Sequence, residues 1–500
     1  MKRFFVTTPI YYMNAAPHLG HYYSTTIADI LARYHRMTEQ GAFFLTGADE
    51  HGQKIAEKAT AANLSPQEFT DTISAEWQAT WKELDISYDH FVRTTDGYHT
   101  AFAQEVIQRL RDNGAIYEKE YDALYCVGAE SFVSKSELRE GGLCPDHDEE
   151  PQVVHEKNWF FKLTDYKDQV RRLIETDVLE IKPQSRKNEV LEMLRTPDVQ
   201  DFSVTRERVT WGIPVPFAAD QTIYVWIDAL FNYMSAVIHT EGIETEGRDI
   251  QDVIQDISDV WAPDVQILGK DIVKFHAIYW PAFLLALGLE ETQLPKKLLV
   301  HGFFVSGGRK MSKSLGNIVT PQSVVAEFDQ VIGAPRGNDV LRYYVIREMM
   351  IGNDGDVTPE RIREVYQSDL VNKVGNTYQR VLGMAQKYDL LSARMLPAKQ
   401  AKLRSAITKK AQVHMDSQDL NGYVHYALDL IGEIGRGIEM VKPWELAKAG
   451  DTEQLEYHLS KWLTALEIIA DLWEPVMPAS TAEMRRLMVG EKGMLFPRIA

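Results

Sequence analysis

The stretch FFVTTPIYYMNAAPHLGH, residues 4–21, holds the first decision about the fold. Phe4-Phe5-Val6-Thr7-Thr8 is short and β-rich, and Pro9 and the turn-prone segment Asn14 to Pro17 close it, which predicts a strand followed by a loop. After Gly20 the apolar residues Ile27, Ile30, Leu31 and Tyr34 recur at helical spacing, so a helix is expected to start near His18 to His21. A second apolar run, Ala42 to Leu45, ends at Thr46-Gly47-Ala48-Asp49. Strand, loop, helix and strand in this order begin a parallel α/β sheet.

Working outward, residues 117–221 break that alternation. They hold both cysteines, much mixed charge and Gly141-Gly142, and are read as an insertion into the α/β domain. Strand-like runs return at Ile223 to Trp226, Val265 to Leu268 and Leu298 to Val305. The expected architecture is a split Rossmann-type parallel-sheet domain (residues 1–116 and 222–300) interrupted by a connective insertion, with a cationic loop region at 301–358. From about residue 359 nearly every window has helical periodicity, for example Leu370, Val374, Thr377 and Val381, with turns near Pro397 and Asp451. Residues 359–500 should therefore form an all-α domain.

Composition bounds the function. A chain of 500 residues that is 45% hydrophobic and 25% charged is an ordinary globular polypeptide with several cores. The N-terminus shows no secretory pattern, and no apolar run is long enough to span a bilayer. Two cysteines, Cys126 and Cys144, cannot form a disulfide framework, so a cytoplasmic location is expected. A net charge of −18 argues against unspecific affinity for nucleic acid, DNA included, but leaves room for a local basic patch. The segment Arg394 to Lys410 is one such patch or simply a solvated helix face.

Two elements carry chemistry. Pro17-His18-Leu19-Gly20-His21 sits where the first strand hands over to the first helix, the place where α/β sheets and helix N-termini receive phosphate. His18 and His21 can reach one bound group from a single helical turn, and Gly20 allows a flat base to approach the backbone. The second element, Gly307-Gly308-Arg309-Lys310-Met311-Ser312-Lys313-Ser314-Leu315-Gly316-Asn317, follows a strand-like run. Lys310 and Lys313 there suit the charge that develops on departing pyrophosphate. Either element alone also reads blandly, as two partly exposed histidines or a solvated Lys/Ser loop.

Together, in this order and on this architecture, they resemble the two signatures of class I aminoacyl-tRNA synthetases. Residues 5–21, 46–52 (TGADEHG), 224–229 (YVWIDA), 269–276 (GKDIVKFH) and 442–444 (KPW) are similar to the methionyl-tRNA synthetase family over nearly the whole chain. The resemblance implies a methionine–tRNA ligase that uses ATP with Mg2+ to make methionyl-adenylate and then loads tRNA(Met). Gly20 and His21 would bind ATP with Lys310, Met311, Ser312, Lys313 and Ser314, and the catalytic residues would be His18 and His21, on the pentavalent phosphorus, and Lys310 and Lys313, on the pyrophosphate. Asp49 would hold the α-ammonium of L-methionine, and Ile10, Tyr12, Trp226, Ala229, Tyr233, Ile272 and His276 would wall its side chain. An unbranched thioether suits aromatic walls. Without the resemblance, Trp226 and Tyr233 would be read as core. Arg206 and Arg208 match an Arg-rich strand beside the active site, with surface ion pairs as the alternative. Residues 301–358 would contact the tRNA stem, and Asn376, Arg380 and Trp444 in the helical domain would read the CAU anticodon through stacking and base-edge hydrogen bonds.

The insertion is too short for the editing domain of the valine, isoleucine and leucine enzymes. It also departs from the family. Where the family often has a zinc knuckle, the first pair reads Cys126-Val-Gly-Ala129 and the second Cys144-Pro-Asp-His147. One of four tetrahedral donors is missing, so no structural zinc and no other resident metal is expected. The chain stops at Ala500 without the further module that dimerises some relatives, and a monomer is expected. Two rivals remain: a cofactor-forming adenylyltransferase, disfavoured by size, and a non-catalytic tRNA-binding descendant, disfavoured because His18, His21, Lys310 and Lys313 are all present.

Overall fold

The computed structural model describes residues 2–38, 40–127, 131–133, 138–139, 141–144, 149–196, 199–306, 309–310 and 319–499. They divide into two compact units. The first joins Met1–Pro17 to Thr38–His301, and the second joins His18–Met37 to Gly302–Ala500.

The first unit is built on a parallel seven-stranded sheet. Its strands run in the spatial order Tyr11–Tyr12, Ala42–Asp49, Phe4–Thr7, Val265–Gly269, Lys297–His301 and Glu180–Lys182, with His90–Arg93 paired to Ala42–Asp49. Phe4–Thr7 and Val265–Gly269 are buried along their whole length, as strands covered on both faces must be. The strand Ala42–Asp49 extends four residues past the apolar run that announces it. Leu45 to Ala48 pair with His90 to Arg93, and Tyr11 and Tyr12 pair with Ala48 and Asp49. Gly47 makes this approach possible, because a Cβ there would lie 2.2 Å from the Val92 carbonyl oxygen and 3.0 Å from Ile10.

Residues 117–221 supply more than an added domain. Ile116–Cys126 and Gln152–Phe161 form a long antiparallel pair flanked by Ser131–Val133 and Phe202–Ser203. The strand Glu180–Lys182, with Leu163–Glu175 before it and Gln184–Arg195 after it, returns to the edge of the parallel sheet. Ile223 to Trp226 is not a returning sheet strand. Ile223 ends the strand Ala218–Ile223 of a small antiparallel ribbon, and Val225–Thr240 is a helix of 16 residues. Nearly every residue of that helix from Val225 to Ile238 is buried, so its apolar run has no polar face to reveal a period. The run Leu298 to Val305 likewise splits, into Lys297–His301 in the first unit and Phe304–Ser306 in the second. A Cβ on Gly302, between them, would meet the Asn353 carbonyl at 2.3 Å.

The second unit is helical apart from short strands at Phe304–Ser306, Arg309–Lys310 and Gly355–Asp356. Prolines open the helices Pro321–Ile332, Pro359–Val365, Pro397–Asp416, Pro443–Ala449 and Pro478–Met488, where a missing N–H costs nothing. The helix Leu19–Arg36 belongs to this unit. Asp29, fully buried on it, pairs with Arg342 at 2.7 Å, and Tyr22 donates to Asn338 at 2.7 Å. Arg342 in turn donates to the carbonyls of Val476 and Pro475. Among the described residues no helix is long and apolar enough to cross a membrane.

Candidate active site

In the first unit, Asp49 is the last residue of its strand, at the carboxyl end of the sheet, and is half-buried. Its carbonyl accepts the Met13 N–H at 3.0 Å. The preceding loop is fixed as well: Trp77 donates its indole N–H to Ala15 at 2.8 Å and stacks on Tyr11, and Lys58 donates to the Asn14 carbonyl at 2.6 Å. After Asp49 comes the buried carboxylate of Glu50. It accepts hydrogen bonds from Arg93 at 2.7 Å and from Ser74 and Thr95, while the Glu50 N–H donates to Thr94 at 3.0 Å. Trp211 closes the loop, donating its indole N–H to the Glu50 carbonyl at 2.5 Å and accepting the Gly52 N–H on its own carbonyl at 2.9 Å.

Of the other residues expected to wall methionine, Ile10, Trp226, Tyr233 and Ile272 share one apolar core. Ile10, Trp226 and Ile272 pack partly buried against it, and Tyr233 and Ala229 are buried. Tyr12 is half-buried beside Asp49 in the strand register. Trp226 lies flat on Phe275, ring centroids 3.7 Å apart and 5° from parallel. His276 stands in a single wide helical turn, Phe275–Tyr279, an irregularity common at functional sites. Its Nδ1 donates to the Ile272 carbonyl at 3.1 Å, since a carbonyl only accepts, so its Nε2 accepts the Tyr233 hydroxyl at 2.8 Å. Burial drives both groups toward neutrality: His276 is pushed down to about 4 and the Tyr233 phenol is pushed up. These side chains are therefore apolar or aromatic and uncharged.

Arg206 and Arg208 differ from one another. Arg206 is buried, lies 3.8 Å from the centre of the Tyr224 ring and donates to the carbonyls of Ser203 and Thr205. Arg208 is exposed, 3.8 Å from Glu156 and within 3.4 Å of the His155 carbonyl. Both face a cleft of about 460 Å³ lined also by Gln53, Glu57, Glu156 and Thr210.

In the second unit, His18 caps the helix Leu19–Arg36. Its Nδ1 accepts the Gly20 N–H at 3.0 Å, and the His18 N–H donates to Nδ1 of His21 at 3.2 Å. A Cβ at Gly20 would sit 3.0 Å from the His18 ring, so a larger residue there would press on the capping imidazole. Of the second signature, Lys310 lies in the short strand Arg309–Lys310, whereas Met311, Ser312, Lys313 and Ser314 lie outside the described residues. Asn376 and Arg380 share the exposed side of the helix Asn376–Lys387, and Arg380 donates to Glu439 at 2.6 Å. Trp444, in the helix Pro443–Ala449, is 43% exposed and is no core residue.

Cys126 and Cys144 are buried in a small apolar cluster with Val133. Ala129 and His147 lie outside the described residues. Among the described residues no group of three or more His, Cys, Asp and Glu could hold a metal ion.

Sequence reading passed over one polar group. His51 and His99 both hydrogen-bond the carboxylate of Asp228, each at 2.7 Å, in the interior of the first unit. The segments 46–52 and 224–229 already contain His51 and Asp228, but nothing in the sequence ties them to His99.

Comparison with known proteins bears on the whole chain. The profile of the family described as tRNA synthetases class I (M) matches residues 4–150 and 144–382. The methionine–tRNA ligase of Thermotoga maritima is 38% identical over 98% of this chain and 76% of its own length. The chloroplastic/mitochondrial methionine–tRNA ligase of Arabidopsis thaliana is 38% identical over 95% of this chain and 76% of its own length. The structure of Mycobacterium tuberculosis methionyl-tRNA synthetase in complex with methionyl-adenylate superposes with a TM-score of 0.86 at 31% identity, covering 100% of both chains.

Proposed function

Because the chain belongs to the methionine-specific class I tRNA synthetases, we propose a division of labour among its residues for activating methionine and loading it onto tRNA. The enzyme is an aminoacyl-tRNA ligase. The methionine carboxylate attacks the α-phosphorus of ATP, pyrophosphate leaves, and the terminal ribose hydroxyl of tRNA(Met) then attacks the carbonyl of methionyl-adenylate. No covalent enzyme intermediate is needed, so the protein contributes position and charge. ATP enters as its magnesium complex, the ion riding on the substrate phosphates.

One observation carries the assignment of the amino acid. A carboxylate, Asp49, ends a parallel strand, and in the same unit the uncharged side chains of Trp226, Tyr233 and Ile272 share one core, with Ala229 and His276 also buried. Asp49 pairs with the α-ammonium. The wall, completed by Ile10 and Tyr12, takes the thioether. His18 and His21 present Nε2–H donors to the phosphate chain, and Gly20 admits the adenine base. Lys310 and Lys313 neutralise the departing pyrophosphate, and Met311, Ser312 and Ser314 take part with them in binding ATP. Arg206 and Arg208 support the site from the cleft they face. Asn376, Arg380 and Trp444 read the anticodon, and residues 301–358 contact the tRNA stem. Catalysis is by a monomer in the reducing cytoplasm, where buried Cys126 and Cys144 persist as thiols without zinc.

Exchange of pyrophosphate into ATP, run with each amino acid in turn, tests this reading. Exchange with methionine alone is expected. Exchange with another amino acid and not with methionine would overturn the assignment.

A further inference from the structure

We propose that Asp228, held between His51 and His99, is the positioning centre of the methionine pocket: it locks the loop that carries Asp49 to the helix that carries Trp226, Ala229 and Tyr233. This rests on the assignment of those residues to methionine.

The geometry is a buried relay. Asp228 Oδ2 accepts from His51 Nδ1 at 2.7 Å, Asp228 Oδ1 accepts from His99 Nε2 at 2.7 Å, and His99 Nδ1 hydrogen-bonds Ser235 Oγ at 2.7 Å. Asp228 and His99 are 0% exposed, Ser235 1% and His51 6%. Burial alone would push the Asp228 carboxyl up, but the charges and hydrogen bonds of His51 and His99 outweigh it and hold the group below the usual carboxylate range. The carboxylate is therefore ionised, and both imidazoles donate to it.

Three segments meet there: the turn after the strand Ala42–Asp49, the first turn of the helix Gly97–Asp112, and the first turn of the helix Val225–Thr240. On the last of these, helical periodicity puts Trp226, Ala229 and Tyr233 on one face, while Asp228 and Ser235, seven residues apart, share another. The relay grips the back of the helix whose front lines the pocket. At its other end His51 lies two residues from Asp49, in a loop whose remaining backbone is already fixed by Glu50, Thr94 and Trp211. The relay thus sets the separation between the carboxylate that takes the ammonium and the wall that takes the side chain. Methionine alone spans both, and ATP spans neither. A hydrogen bond to a buried carboxylate fixes direction as well as distance, which an apolar contact of the same size does not.

The test uses the full-length enzyme and methionine-dependent pyrophosphate exchange. Asp228→Asn and His51→Leu should raise the KM for methionine about tenfold or more, with kcat and the KM for ATP within about twofold of the parent. His51→Asn, whose amide N–H can replace the ring Nδ1–H, should restore the KM for methionine to within about threefold of the parent. Folded Asp228→Asn with an unchanged KM for methionine would overturn the proposal. So would His51→Asn as impaired as His51→Leu, or KM values for both substrates rising together with a loss of active enzyme, the result of a merely structural role. If Asp228→Asn does not fold, the two His51 variants decide. Failure of the underlying assignment is distinct: the parent would then show no methionine-dependent exchange, or Asp49→Ala would leave the KM for methionine unmoved.

Discussion

The imidazole rings of His18 and His21 stack with their centroids 3.6 Å apart, and both Nδ1 atoms are turned back onto the backbone of their own helical turn. In the neutral rings each proton therefore sits on Nε2. Structure and catalysis can be separated at His18 because asparagine is also a good N-cap. His18→Asn should keep the melting temperature within about 2 °C of the parent, yet lower pyrophosphate exchange by about a hundredfold, since a donor to the transition-state phosphate is gone. Calorimetry and exchange on one preparation check both halves. Near-normal exchange would remove His18 from phosphate stabilisation.

Asp49 should act on methionine and not on ATP. Asp49→Ala is expected to raise the KM for methionine by about tenfold or more while the KM for ATP stays near the parent value. A thioether analogue that lacks the α-amine should bind the parent enzyme poorly. Equal affinity for methionine and that analogue, read by calorimetric titration, would sink the role given to Asp49.

How much of this was legible in sequence depends on the range of the interaction. The strand Phe4–Thr7, the helix from Leu19 and the helical region from about residue 359 follow from local periodicity. Val225–Thr240 does not, because burial on all sides erases its period. The end of the strand at Asp49 was hidden because Thr46 to Asp49 become strand only by pairing with His90 to Arg93 and with Tyr11 and Tyr12. The Asp228 relay needs three segments separated by 48 residues or more, as from His51 to His99, and no local pattern records such a meeting. Association of the helix Leu19–Arg36 with the second unit, through Asp29 and Arg342, is equally non-local.

That buried pair makes a stability prediction. Arg342→Met would remove a cation from Asp29, which also meets Arg33 at 2.7 Å, and would strip donors from the carbonyls of Pro475 and Val476. The expected loss is about 3 to 5 kcal/mol. Adding Asp29→Asn to that variant should recover part of it, because the buried carboxylate charge that Arg342 no longer meets is removed. Denaturant unfolding of the two single variants and the double variant measures the coupling. Strict additivity would contradict a direct pair.

His276 gives stability a pH dependence of known sign. Its folded value, about 4, lies below the ordinary 6.5, so the unfolded chain binds the proton first as pH falls. The contribution of neutral His276 is fully present above about pH 6.5 and is lost progressively down to about pH 4, a change on the order of 3 kcal/mol. Denaturation midpoints at pH 7 and pH 5 should differ less in His276→Gln than in the parent. An identical difference in both would show that His276 does not carry the dependence.

Trp444 tests recognition of tRNA at a residue proposed to read the anticodon and not to serve adenylation. It follows Lys442, in the left-handed region at φ 49°, and Pro443, and it is the second residue of the short helix Pro443–Ala449, with 43% of its surface exposed. Asn376 is exposed, and Arg380, on the same helix, is tied to Glu439, five residues before Trp444. A buried Trp truncated to Ala costs about 3 to 5 kcal/mol, but one this exposed has little packing to lose. Trp444→Ala should therefore leave the melting temperature within about 2 °C of the parent. If the indole stacks on an unpaired anticodon base, its loss removes roughly 1 to 3 kcal/mol, and only when tRNA binds. Aminoacylation should fall by about tenfold or more, chiefly through the KM for tRNA, while methionine-dependent pyrophosphate exchange stays near the parent value. A proportional loss of both activities with a large drop in melting temperature would assign Trp444 to packing. Unchanged aminoacylation would remove it from the tRNA surface.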